Sequence, residues 1–187
     1  MPRSAEDTRR KLFDASVVEF STYGIAGARV ERITASAGVN NALLYRYFIG
    51  KSELFDTVYG TLAVRLVEAI PFTPDDLPGY AVALVDYYDK HPEVVRLAVW
   101  HQLEHGERPL PEAIRTAQQD KVALIRQAQA EGRITTTYAA DDLLAMILGL
   151  SHLATDAAAP PARPNSREDF ARQRQAVAAA VTALLAG

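Results

Sequence analysis

The chain has no cysteine, only two methionines and a single tryptophan among 187 residues. Without thiols there are no disulfides, thiolate zinc sites, iron–sulfur clusters or cysteine nucleophiles. Nothing therefore speaks for an oxidising compartment. A long apolar run is also missing. The longest charge-free stretch in the strongly apolar part, Leu143 to Thr155, carries Ser151 and His152 and falls short of the roughly 20 residues that span a bilayer. The N-terminal Met-Pro-Arg-Ser-Ala-Glu-Asp is charged and lacks the apolar core of a signal peptide. The expected location is the cytoplasm, with no membrane partner. Period-two alternation bounded by hairpin turns is absent too, which removes the signal for strands.

What is present is the composition of a folded protein of one or two domains: 49% hydrophobic and 23% charged residues. The formal charge of -3 argues against a chain that binds nucleic acid by bulk positive charge. Alanine, leucine, glutamate, glutamine and arginine favour helix. Glycine and proline fall in clusters that punctuate about nine helical segments. The expected fold class is all-α.

The first fifty residues are the most informative. A first helix is expected from Ser4 to Thr22, with Phe13, Val17 and Phe20 on one face and Tyr23-Gly24 ending it. A short second helix, Arg29 to Ala37, turns Val30, Ile33 and Ala37 to one side. Gly38-Val39-Asn40 makes a tight turn, and a third helix, Asn41 to Phe48, points Leu44 and Phe48 inward. Two short helices joined by a glycine-containing turn form a helix-turn-helix. The outward face of its second helix carries Asn40, Asn41, Ala42, Leu43, Arg46 and Tyr47, and a major groove about 12 Å wide admits such a helix.

Beyond it, Lys51 to Ala69 reads as a connector helix striped by Leu54, Val58, Leu62 and Leu66. Residues 75–105 hold two helices split at His91-Pro92. A long helix over 111–131 carries Ile114, Ala117, Lys121, Leu124 and Ala128 along one stripe, with Ile125 beside it. Asp141 to Asp156 is apolar nearly all round and should be buried on more than one side. Ala157 to Pro164 reads as a loop. Arg167 to Leu185 is alanine-rich, with Phe170, Val177, Val181 and Leu184 facing one way.

The run from Ile33 to Leu54 resembles the signature of the TetR family of transcriptional repressors. The similar pieces are Ala37-Gly38-Val39, Leu44-Tyr45-Arg46-Tyr47-Phe48 and Lys51-Ser-Glu-Leu54. The resemblance implies an all-helical homodimer. A three-helix DNA-binding domain (residues 1–50) would bind a palindromic DNA operator, and a helical domain (51–187, entered through the connector over 51–69) would bind a small-molecule effector and dimerise through its last two helices. No cofactor is implied, and no enzyme. Tyr45 and Lys51 match positions that touch phosphate, Tyr47 matches a position near backbone or base, and Asn40, Asn41, Ala42 and Leu43 match positions facing base edges. Of these, Asn41 is the best reader, since an asparagine amide pairs bidentately with adenine. The chain departs from the family where Ala42 and Leu43 replace a small hydroxyl or glycine. It departs again where Arg29 stands in place of a capping serine or threonine, with a charge that can take over the phosphate contact. Ile49-Gly50 replaces proline and serine.

For the effector pocket the expected residues are Tyr87, Tyr88, Trp100, His101, Glu104, Met146 and Leu150, an aromatic lining suited to an apolar or flat ligand. The same aromatics serve equally as plain core. One further pattern competes: His101-Gln-Leu-Glu104-His105 matches H-x-x-E-H, a spacing that can hold zinc with the glutamate as general base. A zinc hydrolase, or a helical interaction module without DNA binding, are the alternatives. Divided at the motif, the charge is uneven. Residues 1–51 hold eight basic and five acidic side chains, a net +3, and the remainder carries -6. A basic head on an acidic body turns one end toward phosphate.

Overall fold

The computed structural model describes residues 5–105, 109–152 and 166–186. Ser4, the 157–164 loop and the end of the Asp141–Asp156 segment lie outside them. The described residues form nine α-helices and one 3-10 turn, and no strand. The helices are α1 (Ala5–Gly27), α2 (Val30–Ala37), α3 (Asn41–Tyr47), α4 (Lys51–Ala69), α5 (Leu77–Lys90), α6 (Pro92–His105), α7 (Glu112–Ala130), α8 (Ala140–His152) and α9 (Arg167–Leu185). No helix among the described residues is long and apolar enough to cross a membrane.

The helix ends are explained by local chemistry. Gly38 closes α2 in the left-handed conformation (φ 67°, ψ 38°), and the Val39 N–H donates to Thr34 O at 3.0 Å, a helix stop that favours glycine. Asn40 then caps α3: its Oδ1 accepts from the Leu43 N–H at 2.9 Å. Gly50 starts α4 without a side-chain cap; instead Glu53 reaches back to the Ile49 N–H at 2.6 Å. Asp76 caps α5 through the Gly79 N–H, and Ser166 caps α9 through the Asp169 N–H.

The first helix stops at Gly24, as expected. The backbone leaves helical geometry there (φ 68°, ψ -173°), and a separate short turn, included in the span of α1, follows to Gly27. That region of backbone space is essentially restricted to glycine. The extra turn exists because α6 supports it. The Glu104 Oε2 accepts from the Ala26 N–H at 2.7 Å, satisfying a donor that a new helical turn leaves open. Trp100 packs against Gly24, and a Cβ there would meet its Cε3 at 2.7 Å.

The core is continuous from head to body. Leu12 and Phe20 of α1, Ile33 of α2, Leu44 of α3 and Leu54 and Phe55 of α4 are fully buried, and Phe20 meets Phe55 edge to face at 5.3 Å. In the body, Leu77 and Leu84 of α5, Leu97 of α6, Ile125 of α7 and Leu143 and Ile147 of α8 continue it. The stripe expected on α7 is rotated slightly: Ile125 is fully buried and Leu124 is exposed, because 3.6 residues per turn carry the face from Lys121 to 125 rather than 124. On α9, Val177 and Val181 are buried as expected, and Arg174 forks onto Asp86 of α5 at 2.7 and 2.9 Å. In α8, Leu143, Leu144 and Ile147 are buried, but Ala145 and Gly149 are exposed and Met146 and Leu150 half-buried. One strip of this apolar helix is therefore uncovered in the single chain.

Gly24→Ala should lower the unfolding free energy by about 1–3 kcal/mol in urea titration, since it combines an unfavourable backbone with an overlap on Trp100. A change below about 0.5 kcal/mol would contradict the packing described at the kink.

Candidate functional site

Two sites emerge, one on the helix-turn-helix head and one in the helical body. The first is the outward face of the helix-turn-helix. Leu44 is fully buried and Phe48 half-buried, so α3 is pinned by its inner side. Asn40, Ala42, Tyr45, Arg46 and Tyr47 are exposed, together with Arg29 at the start of α2. Asn41 and Leu43 are half-buried. The Asn41 Oδ1 bonds to the Thr34 hydroxyl of α2; a carboxamide retains two donors and a second acceptor position, so this contact orients the group without exhausting it. Asn40 is the cap of α3 and is exposed. Sequence reasoning missed Ile49, which is 92% exposed at the same end; the missing family proline at this position was its only signal.

Lys51 is tied inward. Its Nζ donates to Ala26 O at 3.1 Å and to Ala28 O at 3.0 Å, which joins the first turn of α4 to the loop after α1. An ammonium has three donors, so one remains for an outside acceptor. A second clamp was also missed. Glu19 of α1 is buried. Its carboxylate accepts from the Arg29 N–H at 2.8 Å and from Arg32 Nε at 2.8 Å, and this replaces the absent side-chain cap of α2. An acid in the inward series Leu12, Ser16, Glu19, Phe20 was the available signal, because buried acids are nearly always paired.

The second site is a cavity of about 380 Å³ walled by α4 to α8, a size at the low end for small-molecule sites. Tyr59, Tyr80, Tyr88, His101, Gln102, Gln118 and Lys121 supply polar groups, with His152 at the α8 side, and among the described residues no Asp or Glu lines it. Burial pushes the Tyr59 and Tyr80 phenols up to about 12 and raises that of Tyr88 as well. All three are protonated donors at neutral pH.

Of the residues expected to form the pocket, Tyr88 and His101 line it. Tyr87, Trp100, Glu104, Met146 and Leu150 do not. Tyr87 packs against His91, with ring centres 4.4 Å apart and planes tilted by 36°. Met146 and Leu150 belong to the half-buried side of α8. Trp100 and Glu104 face the head: the indole N–H donates to Ser21 O at 3.4 Å, and Glu104 holds the Ala26 N–H. The turn of α6 carrying His101 thus touches the cavity on one side and α1 on the other. The zinc pattern loses its base to this arrangement, since the Glu104 carboxylate is bound to backbone. His101 is buried against Tyr59, with ring centres 5.3 Å apart. The His105 side chain lies outside the described residues. Among those residues there is no group of three or more potential metal ligands.

This is the architecture of a helix-turn-helix regulator with a ligand-sized cavity in its helical body. Comparison with known proteins agrees. Residues 12–58 match the family model of bacterial regulatory proteins of the tetR family, and residues 76–182 match the tetracyclin repressor-like C-terminal domain. The helix-turn-helix transcriptional repressor SCO4008 of Streptomyces coelicolor is 38% identical over 154 residues, covering 81% of this chain and 80% of its own. The repressor NicS of Pseudomonas putida is 33% identical over 111 residues, 56% of this chain and 52% of its own. The solved structure of the regulator SCO4942 of Streptomyces coelicolor superposes with a TM-score of 0.79 at 30% identity, covering 95% of this chain and 97% of that one. The chain belongs to the TetR family: it is a DNA-binding transcriptional regulator and not an enzyme.

Glu19→Ala should destabilise the head by about 1–2 kcal/mol, the cost of leaving the Arg29 N–H without its acceptor. Loss of α2 and α3 helicity before the body, followed by residue-resolved NMR during thermal unfolding, is the expected signature. Uniform melting of an unchanged midpoint would refute it.

Proposed function

We propose that the protein is a ligand-responsive repressor that binds a palindromic operator as a homodimer and is released by a small molecule held in the cavity. The observation that carries this reading is the shared turn of α6, which packs on the cavity through His101 and grips α1 through Trp100 and Glu104. A ligand that favours one placement of that turn shifts the head with it. It acts only by binding the two arrangements unequally, and operator DNA must weaken ligand binding by the same factor. Residues 1–50 act as the DNA-binding unit and 51–187 as the effector and dimer unit, in the cytoplasm where the operator lies.

The strip left uncovered on α8 supports the dimer. Ala145 and Gly149 of α8 and Ala176, Ala179 and Ala183 of α9 are exposed and small, which permits close packing of four helices from two chains. Two heads are required because one short helix reads few base pairs. Paired recognition helices space their half-sites by about one DNA turn, 34–36 Å, or a multiple of it.

On DNA, Arg29, Arg46 and the third donor of Lys51 take phosphates, with Tyr45 and Tyr47 beside them. Asn40, Asn41, Ala42 and Leu43 face the bases, with Leu43 and Ala42 offering apolar contact to a thymine methyl. Selection from random oligonucleotides gives the operator and opens the test. Arg29→Ala should weaken binding to every sequence and lower the salt slope by about one; an unchanged slope would remove its phosphate role. Asn41→Ala should cost about 1–3 kcal/mol at one base pair of each half-site. Uniform weakening across operator variants would contradict base reading. Ala179→Glu should yield monomers in sedimentation and abolish tight operator binding, whereas an intact dimer would place the interface elsewhere.

A further inference from the structure

The cavity has a charge that its shape does not require. Its walls are mainly apolar, and its tyrosine and glutamine side chains are neutral. Lys121 enters from α7, half-buried, and among the described residues it has no carboxylate partner. Asp120, next to it in the chain, is exposed and does not line the cavity. The Lys121 ammonium lies instead over two rings, 5.4 Å from the centre of Tyr80 and 5.9 Å from that of Phe72, and these rings meet edge to face at 4.9 Å. Burial holds the Lys121 amine below the usual lysine range, and the attraction of the neighbouring Asp120 carboxylate offsets this only in part.

Two ligand classes are disfavoured by this arrangement. Among the described residues a cation meets no carboxylate in the cavity, and the Tyr80 ring that would attract it already faces Lys121. A wholly apolar ligand would bury the ammonium further and leave it unpaired, which is costly. An anion corrects the deficit, and the protonated tyrosines nearby can donate to it.

We propose that the cavity takes an amphipathic organic anion, with a flat apolar body against Tyr59, Tyr88 and His101 and one carboxylate or comparable acidic group paired to Lys121. This rests on the reading of the cavity as the effector site and adds the ligand's class. Lys121 sets the specificity. It selects for the acidic group, and the aromatic walls select for the flat body.

Three fluorescent probes of one shape test it with the full chain: an anthracene carboxylate, its carboxamide and an anthracenylmethyl trimethylammonium. By fluorescence anisotropy the carboxylate should bind about ten- to a hundredfold more tightly than the carboxamide, the range of a charged hydrogen bond, and the cation most weakly. Lys121→Gln should bring the carboxylate to the level of the carboxamide, and Lys121→Arg should keep the preference. Comparing the three probes on the unsubstituted protein tests the class even if a variant folds poorly. Equal binding of the three, binding of none, tighter binding of the cation, or a carboxylate preference that survives in Lys121→Gln overturns the proposal. Operator release is read separately. A carboxylate that binds with the stated preference and leaves the protein on its operator contradicts the effector reading but leaves the ligand class standing.

Discussion

At Gly24 the backbone takes a conformation that glycine alone adopts readily, and Trp100 fills the space where a side chain would stand. Much of the rest depends on this contact. It lets α6 approach α1 closely enough for Glu104 to hold the Ala26 N–H. Lys51 then takes the carbonyls of Ala26 and Ala28. Three elements distant in sequence, α1, α4 and α6, thus converge on a few residues of main chain. From there the path to the recognition helix is short: Glu19 fixes the start of α2, Gly38 turns the chain, and Asn40 starts α3.

In the proposed ligand response, the same contact is the link between the cavity and the head. Packed interfaces change between discrete arrangements rather than bending continuously. His101 and Glu104 stand about one turn apart on α6, His101 on the cavity and Glu104 on the Ala26 amide at the end of α1. A ligand that displaces the cavity side of this turn must either move the head side with it or break a charge-assisted hydrogen bond. The charge distribution suits the division of labour. The basic head is drawn to phosphate, and the acidic body stays clear of it.

The DNA-reading half was legible because its signals are local. Gly38 with a left-handed turn, Leu44 four residues before Phe48, and Lys51 at the start of a long amphipathic helix lie close together in the chain. The helix bounds of α4 and α9 follow directly from their periodicity and flanking residues. The pocket was less legible. Helical periodicity tells which face of α6 is apolar, but not which of two neighbours covers it, so Trp100 and Glu104 were assigned to a cavity when they serve the head. Gly24 was legible as a helix stop, but the short turn after it was not, because its support comes from Trp100 and Glu104, 76 and 80 positions away. Lys121 was visible in a different sense: a lysine among Ile114, Ala117 and Ala128 on one stripe is an anomaly whose meaning appears only once Tyr80 and Phe72 are placed beside it.

The head and the body are locked together through the Ala26 amide. Amide hydrogen exchange at residues 25–29, measured in the unmodified protein and in Glu104→Ala, tests it most directly. Strong protection of the Ala26 amide is expected in the unmodified protein. The variant should show faster exchange at Ala26 that spreads into the first turn of α2, together with weaker operator binding. Rapid exchange at Ala26 in the unmodified protein, or a variant whose exchange and operator affinity are both unchanged, would contradict it.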